Sequence, residues 1–367
     1  MRTPLLALTA ALVLTACTPA AELVDPAPMS AEQAAALRAG VENLGKVPAL
    51  SYEGVQNSIT NDFEDADVSW RVTAGGTAYG TAAAGGRQAD LMSVDGLVFV
   101  LAREEFWLSG EYPQYGAEGI DGWARVYDQG WIDPARFLIP AVYATALGEA
   151  MEDDHVFDRP LPLAVDAGGV KAHPIPVGDG TVYVGEDGAI LRVEGVAVTG
   201  IDGTGVDFTG DVAPLDHAAV EQTRGDVLAG IAWVGEVRWF DNIFSDLDDD
   251  GVDLECDSRG MCTLKTKATL HVAEEEKGVD FAFRVGFEAR AWVEEDNEGE
   301  CTQAKTVDAG ESVTLSCKAR VNLTDGGDTW ISGEGHAQMA YALYRADVAG
   351  LTAKAAAEFD RIAAATP

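Results

Sequence analysis

The stretch SVDGLVFVLAREEFW, residues 93–107, decides how this chain folds. Asp95 and Gly96 stand between two apolar runs, and a two-residue type I′ turn needs positive φ at both central positions, which Asp and Gly tolerate. The stretch therefore reads as a hairpin. Its second arm, LVFVL at residues 97–101, is apolar without alternation. Successive side chains of a strand point to opposite faces, so Leu97, Phe99 and Leu101 go one way and Val98 and Val100 the other. Both faces must be covered, because a large bare apolar surface aggregates.

On either side of this hairpin the chain is rich in short β runs. ALSYEGVQNSI, DVSWRVTA, GTAYGTAAA and RQADLMSV precede it; LPLAVDAGGVKAHPIPV, GTVYVGE, AILRVEGVAV and GVDFTGDV follow. Asp179-Gly180 and Asp187-Gly188 are further turn signals, and the whole reads as a meander. Two helical signals interrupt it. Ser30-Ala31-Glu32-Gln33 has capping-box form and opens a helix to about residue 44. In WIDPARFLIPAVYATALGEAM, Asp133 caps, Pro134 suits the first helical position, and an apolar face runs through Phe137, Leu138, Ala141, Val142 and Thr145. Pro140 would remove a hydrogen bond inside a helix, so the segment is expected as two short helical pieces.

The order of these features is specific. A strand, Asp-Gly, and a Phe-Val strand leading to Trp107 are followed by GWARVYDQ, the Asp-Pro helix and GTVYVGEDGAILRVEGV. This order resembles the LolA-like lipoproteins of the LppX/LprAFG type, over about residues 30–215. The resemblance implies an α+β fold in which a curved antiparallel sheet, a half-barrel, carries helices on its concave side and leaves a cavity for the acyl chains of a lipid or glycolipid. Leu97, Phe99, Leu101, Phe137, Leu138 and Val142 are the candidates to line that cavity; the alternative is that helix packing fills the concavity completely and leaves an ordinary core.

The N-terminus agrees with such a setting. Arg2, the apolar run LLALTAALVL and small residues before Cys17 form a secretory signal over residues 1–16. Leu14-Thr15-Ala16-Cys17 resembles the lipobox of bacterial lipoproteins, in which the cysteine takes a diacylglyceryl group and becomes the new N-terminus. Two acyl chains suffice for stable anchoring. Residues 17–29 then form a Pro- and Ala-containing tether, and the chain is expected outside the cytoplasm, held to the bacterial cell membrane through lipidated Cys17.

Beyond residue 214 the composition changes. A polar helical linker at 215–230 leads to residues 231–345, where VRWFDNIF, CTLKTKATLHVA, VDFAFRVGFEARAWVEE, ESVTLSCKARVNL and TWISGEGHAQMAYALYRA alternate with β period. Five or more such strands suggest an antiparallel sandwich of immunoglobulin or fibronectin type. A helix at 346–365 closes the chain, with Val348, Leu351, Ala355, Phe359 and Ile362 on one stripe. Four cysteines remain after Cys17, and an even count outside the cytoplasm implies disulfides. Four allow three pairings; Cys256 with Cys262 and Cys301 with Cys317 is favoured because it closes short loops. In SDLDDDGVDLECD, Asp246, Asp248, Asp250 and Asp257 approach the spacing of a loop that wraps Ca²⁺, so calcium is a candidate ligand, although a charged hairpin tip explains the same run.

The chain has 367 residues, 61 acidic against 25 basic, and a net charge of −36. Contact with phosphate backbones is costly at that charge, so nucleic acid is not an expected partner. H-E-x-x-H, G-x-S-x-G, P-loop and G-x-G-x-x-G motifs are absent, and the five histidines are scattered singly, so no catalytic role is expected. The expected function is that of a membrane-anchored lipid carrier with no other cofactor. The alternative is a cell-surface interaction or adhesion lipoprotein, in which the acidic sandwich, with or without Ca²⁺, meets a protein or cell-wall polymer.

Overall fold

The computed structural model describes residues 28–58, 65–107, 120–126, 133–199, 205–240, 245–272, 280–293, 297–323 and 330–365. The signal segment, Cys17 and most of the tether fall outside these residues. The chain opens with α1 (Ala31–Leu44), and the capping box is in place: the Ser30 hydroxyl accepts from the Gln33 amide while the Gln33 side chain accepts from the Ser30 amide. Strands β1 (Ala49–Ser58), β2 (Ala66–Thr73), β3 (Ala78–Ala84), β4 (Arg87–Val94), β5 (Leu97–Arg103) and β6 (Asp121–Val126) follow, with α2 (Glu104–Trp107) after β5. Next come α3 (Pro134–Phe137) and α4 (Pro140–Asp153), then β7 (Val165–Ala167), β8 (Val170–Val177), β9 (Gly180–Gly185), β10 (Ile190–Thr199) and β11 (Gly205–Pro214). The rest comprises α5 (His217–Ile231), β12 (Glu236–Phe240), β13 (Ser245–Asp249), β14 (Asp253–Cys256), β15 (Met261–Val272), β16 (Phe281–Val293), β17 (Asn297–Asp308), β18 (Ser312–Arg320), β19 (Ser332–Arg345) and α6 (Val348–Ala365).

The β4–β5 hairpin forms as its sequence requires. Val94 pairs with Leu97, and Asp95 and Gly96 have φ of 53° and 74°. The meander continues through both ends of the chain's first part, because β1 pairs with β11 as well as with β2. Eleven strands thus lie in the order β6-β5-β4-β3-β2-β1-β11-β10-β9-β8-β7. One face of this sheet is covered by α1, α3 and α4. Leu37, Val41, Leu44, Phe137, Leu138, Tyr143, Leu147 and Met151 pack with Leu50, Tyr52, Trp70, Val72, Phe208 and Val212 in a first core. Gly40 sets how close α1 comes: a Cβ there would lie 1.8 Å from the Gly188 carbonyl oxygen in the β9–β10 turn.

The sheet does not end at β6. β12 pairs with it in parallel, Trp239 opposite Arg125, and β19, β16 and β17 continue to give fifteen strands. Arg125, 7% exposed, holds this join: its guanidinium lies 4.5 Å from the Trp239 ring centroid and 4.1 Å from that of Tyr344. Across from β12, β16 and β19 lies a second sheet, in which β15 pairs with β13, β14 and β18. Leu264, Leu270, Leu315 and Ala319 from this sheet and Phe283, Val285, Phe287 and Ala291 from the long one share a second core. The two disulfides join Cys256 to Cys262 across the β14–β15 hairpin and Cys301 to Cys317 between β17 and β18. They belong to an oxidising compartment rather than the cytosol.

The segment read as a polar linker is the packed helix α5. Its N-cap is Asp216, and it buries Val220, Thr223, Val227, Gly230 and Ile231. With α6 it covers the face of the long sheet opposite α1 and α4. Met92, Val94 and Phe99 of β4 and β5 belong to this second core, so the two parts of the chain share apolar packing as well as strands.

Candidate functional site

An open groove of about 680 Å³ lies between α1 and α4. Two local features bring these helices together. α1 ends at Gly45, whose amide donates to the carbonyls of Val41 and Asn43. α4 starts afresh at Pro140, where the missing N–H costs nothing because first-turn amides have no helical partner. On α4 the small residues Ala141, Ala144 and Gly148 then line the groove opposite Val41 of α1. A Cβ on Gly148 would sit 3.6 Å from a Val41 methyl, so the seam is narrow at that point.

Phe157, which follows α4, closes one end of the floor. The Arg38 guanidinium lies 3.9 Å from its ring centroid, and Arg38 Nε is 3.2 Å from Glu152 Oε1. Lys46 pairs with Glu42 at the other end, and this ammonium beside the Glu42 carboxyl lowers its pKa. The rim carries Glu42, Glu149, Glu152 and Asp153 against Arg38 and Lys46, so it is acidic overall. An apolar floor under a charged rim is the arrangement of sites that bury hydrocarbon and leave a polar group at the mouth.

Beneath the groove the first core is filled by its own side chains. Leu50, Tyr52, Trp70, Phe137, Tyr143 and Phe208 are each at most 1% exposed. The Tyr52 ring meets Tyr143 and Phe208 edge to face, with centroids 5.4 and 5.7 Å apart. The Tyr52 hydroxyl donates to the Leu138 carbonyl at 2.8 Å, and the Trp70 indole N–H donates to Gln56 Oε1 at 3.1 Å. Among the described residues neither the buried hydroxyl of Tyr143 nor the indole N–H of Trp107 finds a hydrogen-bond partner. Burial raises the pKa of both Tyr52 and Tyr143.

No family model matches this chain, and no curated protein matches it.

The candidate cavity residues do not converge. Phe137 and Leu138 are fully buried in the first core. Leu97 and Phe99 face the second core instead, and Leu101, half-buried, shares their side of β5. Val98 and Val100 belong to the first core, on the side of α1, α3 and α4. The six candidates are therefore not brought together on one face of the sheet: both faces of β5 are apolar because α1, α3 and α4 cover one and α5 and α6 the other. Val142 is half-buried, and α4 buries Pro140, Tyr143, Ala144, Leu147 and Met151. The stripe through Ala141, Val142 and Thr145 extended the periodicity of α3 across Leu138 and Ile139, but the break there resets the helical phase. The small-residue spacing Ala141, Ala144, Gly148 was the sequence signal for the groove.

Asp246 and Asp248 lie on β13, opposite His271 and Thr269 of β15, and Asp250 follows the strand. Asp248 Oδ2 is 3.2 Å from His271 Nε2. Asp257 sits in the β14–β15 turn, where its Oδ1 accepts from the amides of Arg259 and Met261 at 2.9 Å each, which lowers its pKa. Among the described residues no group of three or more His, Cys, Asp or Glu side chains is placed to hold a metal ion.

Proposed function

We propose that the chain is an extracytoplasmic lipoprotein, tethered through Cys17, that carries a lipid or glycolipid by holding hydrocarbon in the seam between α1 and α4. The observation that carries this reading is the groove of about 680 Å³ over Val41, Ala144 and Phe157, a size within the ordinary range for small-molecule sites. Burying about ten methylenes at about 0.8 kcal/mol each gives about 8 kcal/mol, the scale of micromolar affinity before ordering costs. Parting of α1 from α4 would let a chain reach the Tyr143 hydroxyl, which is suited to donate to an ester carbonyl. Loading and release need no bond chemistry, only two arrangements of the seam with different affinity for hydrocarbon.

Native mass spectrometry of the chain from residue 18, purified without detergent, tests the reading. Lipid recovered at one per chain, and lost on Gly148→Leu, is the expected result; a clean unliganded mass together with no uptake of fluorescent fatty acid or phospholipid overturns it. The second reading, a surface interaction protein, is favoured by Trp233 and Trp330, which are 76% and 89% exposed in the later part of the chain. Exposed aromatic rings are anchors for protein or sugar surfaces. Failure of lipid uptake combined with polymer binding that Trp330→Ala abolishes would assign the chain to that class.

A further inference from the structure

Among the described residues, the far edge of the fifteen-stranded sheet exposes apolar side chains. Leu163 is 89% exposed, and Val165 and Val170 on the β7–β8 hairpin are 42% and 52% exposed. Val165 pairs with Ala172 and Ala167 with Val170, so these four lie on one face, exposed at Val165 and Val170 and buried at Ala172, while the pair Asp166 and Lys171 lies on the other. Among the described residues β7 has no partner on its outer side in the sheet order. Exposed edge strands are normally short, charged or covered, because they pair with whatever meets them. This one is short, yet it carries a run of apolar residues, LPLAV at 161–165, leading into it.

The place where the tether enters the body selects the occupant. Met29 is buried, and its amide donates to the Arg159 carbonyl at 2.9 Å, four residues before Leu163. Twelve residues separate Cys17 from Met29, a reach of at most about 40 Å when fully extended. A diacylated Cys17 therefore holds this edge close to the membrane. Charge agrees: from Asp158 to Lys171, Asp158 and Asp166 balance Arg159 and Lys171, in a chain whose net charge is −36. Within residues 158–171 the charges cancel, so this short segment adds nothing to the repulsion that the acidic chain meets at anionic head groups.

We infer that the β7–β8 edge, with Leu163, Val165 and Val170, rests in the head-group region of the bilayer that anchors the chain. This rests on the anchoring of Cys17 in the reading above. It gives the body a fixed attitude, with the β7–β8 edge toward the lipid surface.

The test supplies the anchor chemically, so that natural lipidation is not assumed. The chain from Cys17 onward is coupled through that thiol to a maleimide phospholipid in phosphatidylcholine vesicles, and hydrogen exchange is followed by mass spectrometry. Slower exchange over residues 161–171 than in the uncoupled chain, with no change over 309–317, is expected. Leu163→Asp, Val165→Asp and Val170→Asp combined should remove that protection without lowering the melting temperature. Equal exchange on and off the vesicles overturns the inference, as does protection that appears in free solution with a doubled mass, which would assign the edge to a second copy. Whether cells lipidate Cys17 is read separately, by fractionating Cys17→Ala.

Discussion

Tyr52 and Tyr143 meet edge to face in the first core, and only the Tyr52 hydroxyl is hydrogen-bonded. A buried polar group without a partner costs about 1–3 kcal/mol, whereas a satisfied one contributes about 1 kcal/mol. Tyr143→Phe is accordingly expected to stabilise the chain by about 1 kcal/mol, and Tyr52→Phe to destabilise it by about the same, both read from urea unfolding midpoints. The raised pKa of each phenol also fixes a pH dependence. Below the unfolded value of 10.0 both states hold the proton, so the stabilisation is fully present. As pH rises past that value the unfolded chain loses its protons first, and stability falls. Circular dichroism from pH 8 upward should find a midpoint of thermal unfolding that drops above about pH 10, less steeply in the double Phe variant. Single residues were the most legible level of the sequence where one backbone requirement dominates. Asp95-Gly96 and the Ser30 box are such cases. The side of β5 on which Phe99 lies was not legible, since an alternation argument has nothing to work on when neither face is polar.

Among the elements, α6 is tied to the opposite end of the chain. Glu358 accepts hydrogen bonds from Thr73 and, at 2.6 Å, from Thr77, which flank the β2–β3 turn. Lys354 pairs with Asp95 in the β4–β5 turn, and Arg224 of α5 meets Asp360 at 2.8 Å. Glu358→Ala leaves two threonine hydroxyls short of a charged acceptor and is expected to cost about 2 kcal/mol; Glu358→Gln should recover part of it, and an unchanged midpoint for the Ala variant would show the clasp to be ornamental. The helices themselves were legible, through caps and prolines, because those signals are local. The docking of α5 was not, since its buried residues are spaced by Gly and Thr and its exposed face reads as a polar connection.

At the scale of the molecule, the continuous sheet predicts how the protein comes apart. Fifteen strands and a shared core give the two parts no independent boundary, so calorimetry should record one cooperative transition rather than two. Arg125, between Trp239 and Tyr344, is the residue on which this coupling rests most directly; Arg125→Ala is expected to lower stability by about 2 kcal/mol or more and to split or broaden the transition. The β-rich class, the helices and the cysteine pairing could be anticipated from periodicity, caps and loop lengths. The join could not: β6 and β12 lie more than a hundred residues apart, and no pattern within either strand announces a partner at that distance.

That parallel pair has a consequence for biogenesis. A chain crossing a membrane from its N-terminus delivers β6 well before Glu236–Phe240 emerge to flank it. Until then the early strands, even if fully assembled, end in a row of unsatisfied amides and carbonyls. A prematurely stopped or clipped product would keep that open flank permanently, and its fate would be clumping rather than a working fragment.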